Sequence, residues 1–303
     1  MENEKFHPLK IWNDKGVTDL LIDFFRANFQ KAGLDPLLGE KAVKLAWEQR
    51  GKTDVSRIME QVFSLFEQAK KQIKFNPDEA EPLSFFNLAN ARTFLDIGAN
   101  KLTTINYFAK KYPGLQKLIG VDTIAQNGDF LVPEKSVYYQ VDPEADSYPI
   151  ANKSVDCINI QFVFHHLKDL SAIKRILSIC RRIISPRGSL ILWEETFADK
   201  VDAKALTLVN RRMNIQTDKD LTRRFYNFDK DKRIQFIAAN DWIINCGNPH
   251  MPWTGQYYSW KEWVAIMLEA GLSLTKQYNF GLRINGRLKQ GVWMIGIFKA
   301  DSR

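Results

Sequence analysis

The 303-residue chain is 45% hydrophobic and 26% charged, with a formal net charge of +8 and three cysteines. It can bury a large core, has no run of 18 apolar residues to span a membrane, and begins MENEKF without the apolar stretch of a secretion signal; a cytosolic protein with no membrane partner is expected. Cys157, Cys180 and Cys246 are odd in number and far apart, without zinc spacing, which points to packed reduced thiols and no metal centre.

Residues 1–90 read as a helical segment. An amphipathic helix is expected over 17–31, ended by Gly33, and a shorter one over 40–49. Val55, Ile58, Met59, Val62, Phe63 and Phe66 share one face of a third helix, started by Thr53 or Asp54. From residue 91 onward, strands and helices alternate as a doubly wound sheet requires. Strands are expected over 94–97, 117–122 and 137–141 and a fourth over 154–167, with a helix over 103–111. A helix over 171–184, a turn at Pro186-Arg187-Gly188 and a fifth strand over 189–193 follow. Residues 200–214 read as helical, and the polar and aromatic stretch 215–258 is longer than an ordinary crossover. Ser259 and Glu262 form a capping box that starts a helix closed by Gly271. Two last strands, over 272–284 and 288–298, flank Asn285-Gly286, a strong hairpin signal.

The most informative stretch is Phe94-Leu95-Asp96-Ile97-Gly98-Ala99-Asn100, where an apolar strand runs into a turn carrying an acid and a glycine. Glycine lets the backbone approach a ligand closely, and the helix after it turns its N-terminus toward the same place. A second strand ends in Asp122, placed to accept hydrogen bonds from ribose hydroxyls, and a third ends at Asp142-Pro143. The fourth runs through Gln161 and Phe162 into His165-His166-Leu167.

On these motifs the chain resembles the class I S-adenosylmethionine-dependent methyltransferases, in particular a subgroup acting on small molecules, over residues 91–300. The resemblance implies a Rossmann-like seven-stranded doubly wound sheet with a C-terminal antiparallel hairpin. The first 90 residues would be a lid, a packing segment or a dimer element, and residues 200–258 a substrate insert. It further implies S-adenosylmethionine as cofactor, held by Asp96, Gly98, Ala99 and Asn100 at the methionine end, Asp122 and Thr123 at the ribose and Asp142 and Pro143 at the adenine, with Gln161 and Phe162 also in the cofactor site. This chain departs from the pattern in having Asn100 and Leu102 where most members carry further glycines. Asparagine tolerates the left-handed backbone better than other non-glycine residues.

The activated methyl needs a nucleophile held in line and, for a weak acceptor, a group to take its proton. His165, His166 and Glu194 are the candidates for proton removal, and Glu195, His250, Tyr257 and Tyr258 for substrate contact. The charge is uneven: residues 1–91 carry 13 basic and 14 acidic side chains, leaving a net of +9 beyond them. Residues 174–233 hold 15 basic against 8 acidic groups, among them the pairs Arg181-Arg182, Arg211-Arg212 and Arg223-Arg224. Two acceptors follow: an oxygen or nitrogen of a small metabolite, which is favoured, or RNA, through ribose or cap methylation or binding alone. The asparagine-proline-proline-aromatic motif of adenine N-methylating enzymes is absent, Gln161-Phe162-Val163-Phe164 standing in its place. Oligomeric state is not legible.

Overall fold

The computed structural model of the chain describes residues 12–51, 55–70, 86–200, 218–245, 255–284 and 291–301. In chain order the elements are α1 (Lys15–Lys31), α2 (Pro36–Gln49), α3 (Val55–Lys70), β1 (Thr93–Ile97), α4 (Thr103–Lys111), β2 (Lys117–Asp122), β3 (Ser136–Gln140), β4 (Val155–Gln161), α5 (Leu170–Ile183), β5 (Ile184–Glu195), α6 (Lys219–Asn227), α7 (Lys230–Asn245), α8 (Trp260–Glu269), β6 (Leu272–Leu282) and β7 (Val292–Ala300). All but the first residue of the helix expected over 200–214, together with His250, the Asn285-Gly286 turn, Thr53 and Asp54, lies outside the described residues.

The chain divides into two compact units, one of Met1–Pro77, Glu195–Trp260 and Asn279–Met294, the other of Asp78–Glu194, Lys261–Tyr278 and Ile295–Arg303. The first is mainly helical. Helix α1 begins two residues before its apolar period because the Asp14 carboxylate accepts from the Val17 N–H at 2.9 Å. It ends where Gly33 takes a φ of 71°. Helix α2 likewise starts earlier than its pattern suggests, capped by Asp35 with Pro36 in its first turn. Val17, Leu20, Leu21, Phe24, Phe25 and Phe29 of α1 are buried with Val43 of α2, Ile58 and Val62 of α3, and Phe236, Ile237 and Trp242 of α7. Phe24 meets Phe236 edge to face at 5.6 Å. The N-terminal helices therefore bury their apolar faces against helices inserted some 200 positions later in the chain.

The second unit carries the parallel part of a seven-stranded mixed sheet ordered β3-β2-β1-β4-β5-β7-β6, the last two strands forming the antiparallel C-terminal hairpin. Strands β1 to β5 pair in parallel. Both faces of these strands are covered, so they read as nearly unbroken apolar runs: Phe94, Leu95 and Ile97 in β1, Ile158 and Ile160 in β4, and Leu190 to Leu192 in β5 are buried. Cys157 on β4 and Cys180 on α5 are buried free thiols. The turn expected at Pro186-Arg187-Gly188 is instead part of β5. Val155 pairs with Ile184 and Cys157 with Ser189, so two steps of β4 face five of β5 across a bulge. Gly188 fits there because a Cβ would lie 2.9 Å from the Val155 carbonyl oxygen and 3.0 Å from that of Ser185. Among the described residues no helix is long and apolar enough to cross a membrane.

Strand β1 has β2 on one side and β4 on the other, so the winding direction of the sheet reverses between β1 and β4. In an open parallel sheet the crevice at such a reversal, beyond the carboxyl ends of the strands, is where ligands bind.

Candidate functional site

Two loops emerge from the β1 and β4 ends at this reversal. In the first, Gly98 has a φ of 82°, and its N–H donates to the Val121 carbonyl at 2.8 Å. A Cβ here would lie 2.4 Å from Val163 Cγ2, so the glycine is required by its backbone angle and by the second loop alike. The residue that takes the left-handed backbone later in this loop is Leu102, with a φ of 56°; Asn100 does not. Leu102 tolerates the strain because its side chain is fully buried, and its N–H bonds the Ala99 carbonyl at 2.6 Å.

Around the first loop the polar atoms are mostly acceptors. Asp96 is buried, and Asn159, its register partner on β4, donates from Nδ2 to Asp96 Oδ1 at 2.7 Å. Burial pushes the Asp96 carboxyl up to about 7; the Asn159 hydrogen bond pulls it down, and the negative charge of Asp122 adds to the rise. Asp122 accepts from the Asn100 N–H at 3.0 Å on one oxygen, and from the Thr123 and Ile124 N–H groups at 2.7 and 3.3 Å on the other. Asn100 Oδ1 and Asn159 Oδ1 are buried acceptors without a hydrogen-bond partner. Gln161, at the end of β4, accepts from Thr104 Oγ1 at 3.2 Å. Two carboxylates and two orphaned amide oxygens fit a ligand that brings positive charge and hydrogen-bond donors.

The second loop has the opposite character, because its donors are all taken up. Phe162 is left-handed, with a φ of 54°, and packs on Trp193 with ring centroids 5.0 Å apart. Glu194, fully buried at the end of β5, accepts from the Val163 and Phe164 N–H groups at 3.1 and 2.8 Å through Oε1, while Oε2 meets His165 Nδ1 at 2.5 Å. Since a carboxylate only accepts, Nδ1 of His165 carries a proton and donates it to Glu194. The His166 ring lies 4.0 Å from that of His165 and is half-buried.

The structure thus gathers Asp96, Gly98, Ala99, Asn100, Asp122, Thr123, Gln161, Phe162, His165, His166 and Glu194 onto neighbouring strand ends of one unit. Asp142 and Pro143 follow β3 and are exposed; Asp142 caps its own turn by accepting from the Glu144 N–H at 2.7 Å. Glu195, Tyr257 and Tyr258 belong to the helical unit. There the Tyr257 hydroxyl donates to Asp241 Oδ2 at 2.6 Å, and that of Tyr258 to Gln256 Oε1 at 2.7 Å. Glu195 Oε1, Asn240 Nδ2 and Trp293 Nε1 converge on Gly291, each 3.1 Å from where its Cβ would lie. Arg283 is buried in the same unit, with its guanidinium 4.7 Å from the Trp293 ring.

Sequence reasoning missed Asn159, Asp241 and Arg283. Asn159 was the most accessible of them, as a polar side chain inside the apolar run Cys157-Ile158-Asn159-Ile160.

Residues 95–192 match the model of a family described as a methyltransferase domain. A search of curated proteins finds no match. Among solved structures, the chain is similar to the Haloferax volcanii complex of the Trm112 methyltransferase activator with a methyltransferase, at 11% identity and a TM-score of 0.48 over 80% of this chain and 95% of that one. It is similar to an S-adenosylmethionine-dependent methyltransferase of Aquifex aeolicus, at 15% identity and a TM-score of 0.45 over 80% and 98%. It is also similar to the geranyl diphosphate C-methyltransferase of Streptomyces coelicolor A3(2), at 10% identity and a TM-score of 0.45 over 83% and 86%.

Proposed function

We propose that this chain, which matches a methyltransferase-domain family over residues 95–192, is a class I S-adenosylmethionine-dependent methyltransferase that methylates an oxygen or nitrogen of a small-molecule metabolite. The observation that carries the choice of acceptor is the set of buried side chains in the helical unit that are ionisable or can donate or accept strongly, Glu195, Asn240, Asp241, Tyr257 and Arg283, beside a largely apolar core. Burying such groups is costly unless they recognise something or hold one another, and a nucleic-acid surface needs its polar groups exposed. The basic residues of the region point the same way. Arg224 pairs with Asp23 at 2.7 Å, Lys232 with Asp14 at 3.0 Å and Arg175 with Glu144 at 2.6 Å, and Arg233 donates to three main-chain carbonyls.

S-adenosylmethionine, when bound, supplies a methyl group already activated on a sulfonium. Asp96 and the Asn100 amide oxygen suit its ammonium end, Asp122 its ribose hydroxyls, and Asp142 with Pro143 its adenine end. Gly98 keeps the loop backbone open to it. Glu194 is a positioning residue, since it fixes the β4 loop and holds the Nδ1 proton of His165. His165 and His166 are the candidates for taking the proton of the acceptor, and Glu195, Tyr257 and Tyr258 for orienting it.

Two measurements test this reading. Calorimetry with S-adenosylhomocysteine should show binding that Asp122→Ala weakens by about 1–3 kcal/mol, the loss of a charge-assisted acceptor. Methyl-labelled S-adenosylmethionine, offered with the protein to a metabolite extract and to total RNA, should label the small-molecule fraction. Label confined to RNA would overturn the small-molecule assignment.

A further inference from the structure

The ion pairs that neutralise Arg175, Arg223, Arg224 and Lys232 leave Arg181 and Arg182, the pair in the last turn of α5, outside their scope. Both line a cavity of about 530 Å³ with Lys174 and Ser178 of the same helix, and with Ile266, Glu269 and Ala270 around α8. Arg181 Nη2 donates to the main-chain carbonyl of Asp301 at 2.7 Å, and Arg182 Nη1 to Asn152 Oδ1 at 2.6 Å. These acceptors are neutral, and Arg182 Nη2 is buried with no hydrogen-bond partner. The helix dipole favours cations in a last turn, which accounts for two arginines there but not for a buried guanidinium N–H left without an acceptor. The lining charge is three cations against Glu269, which pairs with Lys174 at 2.8 Å across an exposed gap.

We propose that this cavity binds the phosphate group of a small organic phosphate. Two guanidinium forks, an ammonium and the Ser178 hydroxyl supply more donors than a carboxylate can use, and a net lining charge of +2 matches a phosphate dianion. The cavity is of a size that ligand pockets commonly have, and Ile266 and Ala270 give it an apolar side for the organic remainder. The Lys153 N–H donates to the Arg182 carbonyl at 3.1 Å, and that of Ser154 to the Ile183 carbonyl at 2.8 Å, placing the arginines at the start of β4. Asp96, Gly98 and Gln161 stand at the other end of the strands. The bound phosphate is thus an effector or anchor that touches no group of the methyl-transfer site.

The test is a calorimetric titration of the whole chain with inorganic phosphate and with phenyl phosphate, at fixed ionic strength. Saturable binding of one equivalent is expected, tighter for phenyl phosphate, and weakened at least tenfold by Arg182→Gln and about threefold by Lys174→Gln. Should Arg182→Gln not fold, Arg181→Gln, which gives up a single main-chain hydrogen bond, carries the tenfold expectation. S-adenosylhomocysteine is titrated into each variant, and its unchanged affinity separates loss of the phosphate site from any failure of the methyltransferase reading. Absence of saturable phosphate binding, or binding indifferent to the arginine substitution, would overturn the proposal. So would a single-stranded RNA oligomer binding more tightly than phenyl phosphate with a steep salt dependence, which would give the groove to nucleic acid.

Discussion

The loops after β1 and β4 leave the sheet side by side, yet one is short of donors and the other has none to spare. Around the β1 loop sit the Asp96 and Asp122 carboxylates and the unpartnered Asn100 and Asn159 amide oxygens. In the β4 loop a single carboxylate, Glu194, takes up the two main-chain N–H groups and the histidine ring that would otherwise be loose. A ligand that brings cations and donors completes the first loop, while the second is complete already and serves as the wall against which Gly98 packs. Rigidity and receptivity are thus separated by one van der Waals contact, that of Gly98 with Val163.

The sharpest way to break this arrangement is to fill that contact. Gly98→Ala puts a methyl 2.4 Å from Val163 Cγ2 at a φ of 82°, and should abolish S-adenosylhomocysteine binding by calorimetry with a loss of about 3 kcal/mol or more. Adding Val163→Ala to Gly98→Ala should recover part of that loss, whereas a double variant no better than Gly98→Ala would mean that backbone strain alone is responsible. Next in size is Glu194→Gln. It should lower stability by about 2 kcal/mol, read as a fall in Tm, and reduce kcat while leaving cofactor affinity within about threefold. A large change in affinity would show that the two loops are not separable.

The smallest effect is a pH dependence. The Asp96 carboxyl is raised to about 7 in the folded chain from an ordinary value of 3.8, so between these values the folded state holds a proton that the unfolded state has lost. The contribution of this group to stability is therefore fully present below about 4 and is lost as pH rises through 7. A cationic ligand favours the ionised form, so its affinity should weaken by up to about tenfold per unit as pH falls below 7, with a proton released on binding. Calorimetry in two buffers of different ionisation enthalpy at pH 6 reads that proton directly, and identical heats would show that Asp96 is ionised before the ligand arrives.

What the sequence could and could not disclose follows from the range of the forces involved. Asp96, Gly98 and Asp122 were legible because a parallel strand buried on both faces is a continuous apolar run, and a polar residue at its end stands out. Asp14 and Asp35 move two helix starts through short-range caps that apolar periodicity does not register. The bulge of β5 looks like a turn in sequence because Pro186 and Gly188 mark turns and bulges alike; only the β4 register distinguishes them. Asn159 serving Asp96 and Glu194 serving the β4 loop join residues 63 and 30 positions apart, and no local pattern encodes such pairs. The burial of α1 against α7 is equally remote in sequence, which is why the N-terminal helices read as a segment on their own.

The two cysteines in the sheet unit give the chain a built-in clock. Cys157 lies in β4 beside β1 and Cys180 on the inner face of α5, and burial holds both thiols well above their ordinary range, Cys180 at about 12. Neither can form a thiolate while the strands are closed, so disulfide reagents and alkylators must wait for that unit to open. In a Cys246→Ser background, the labelling rate of the remaining pair times the opening of the sheet, and a bound cofactor should lengthen that interval in proportion to its concentration above Kd.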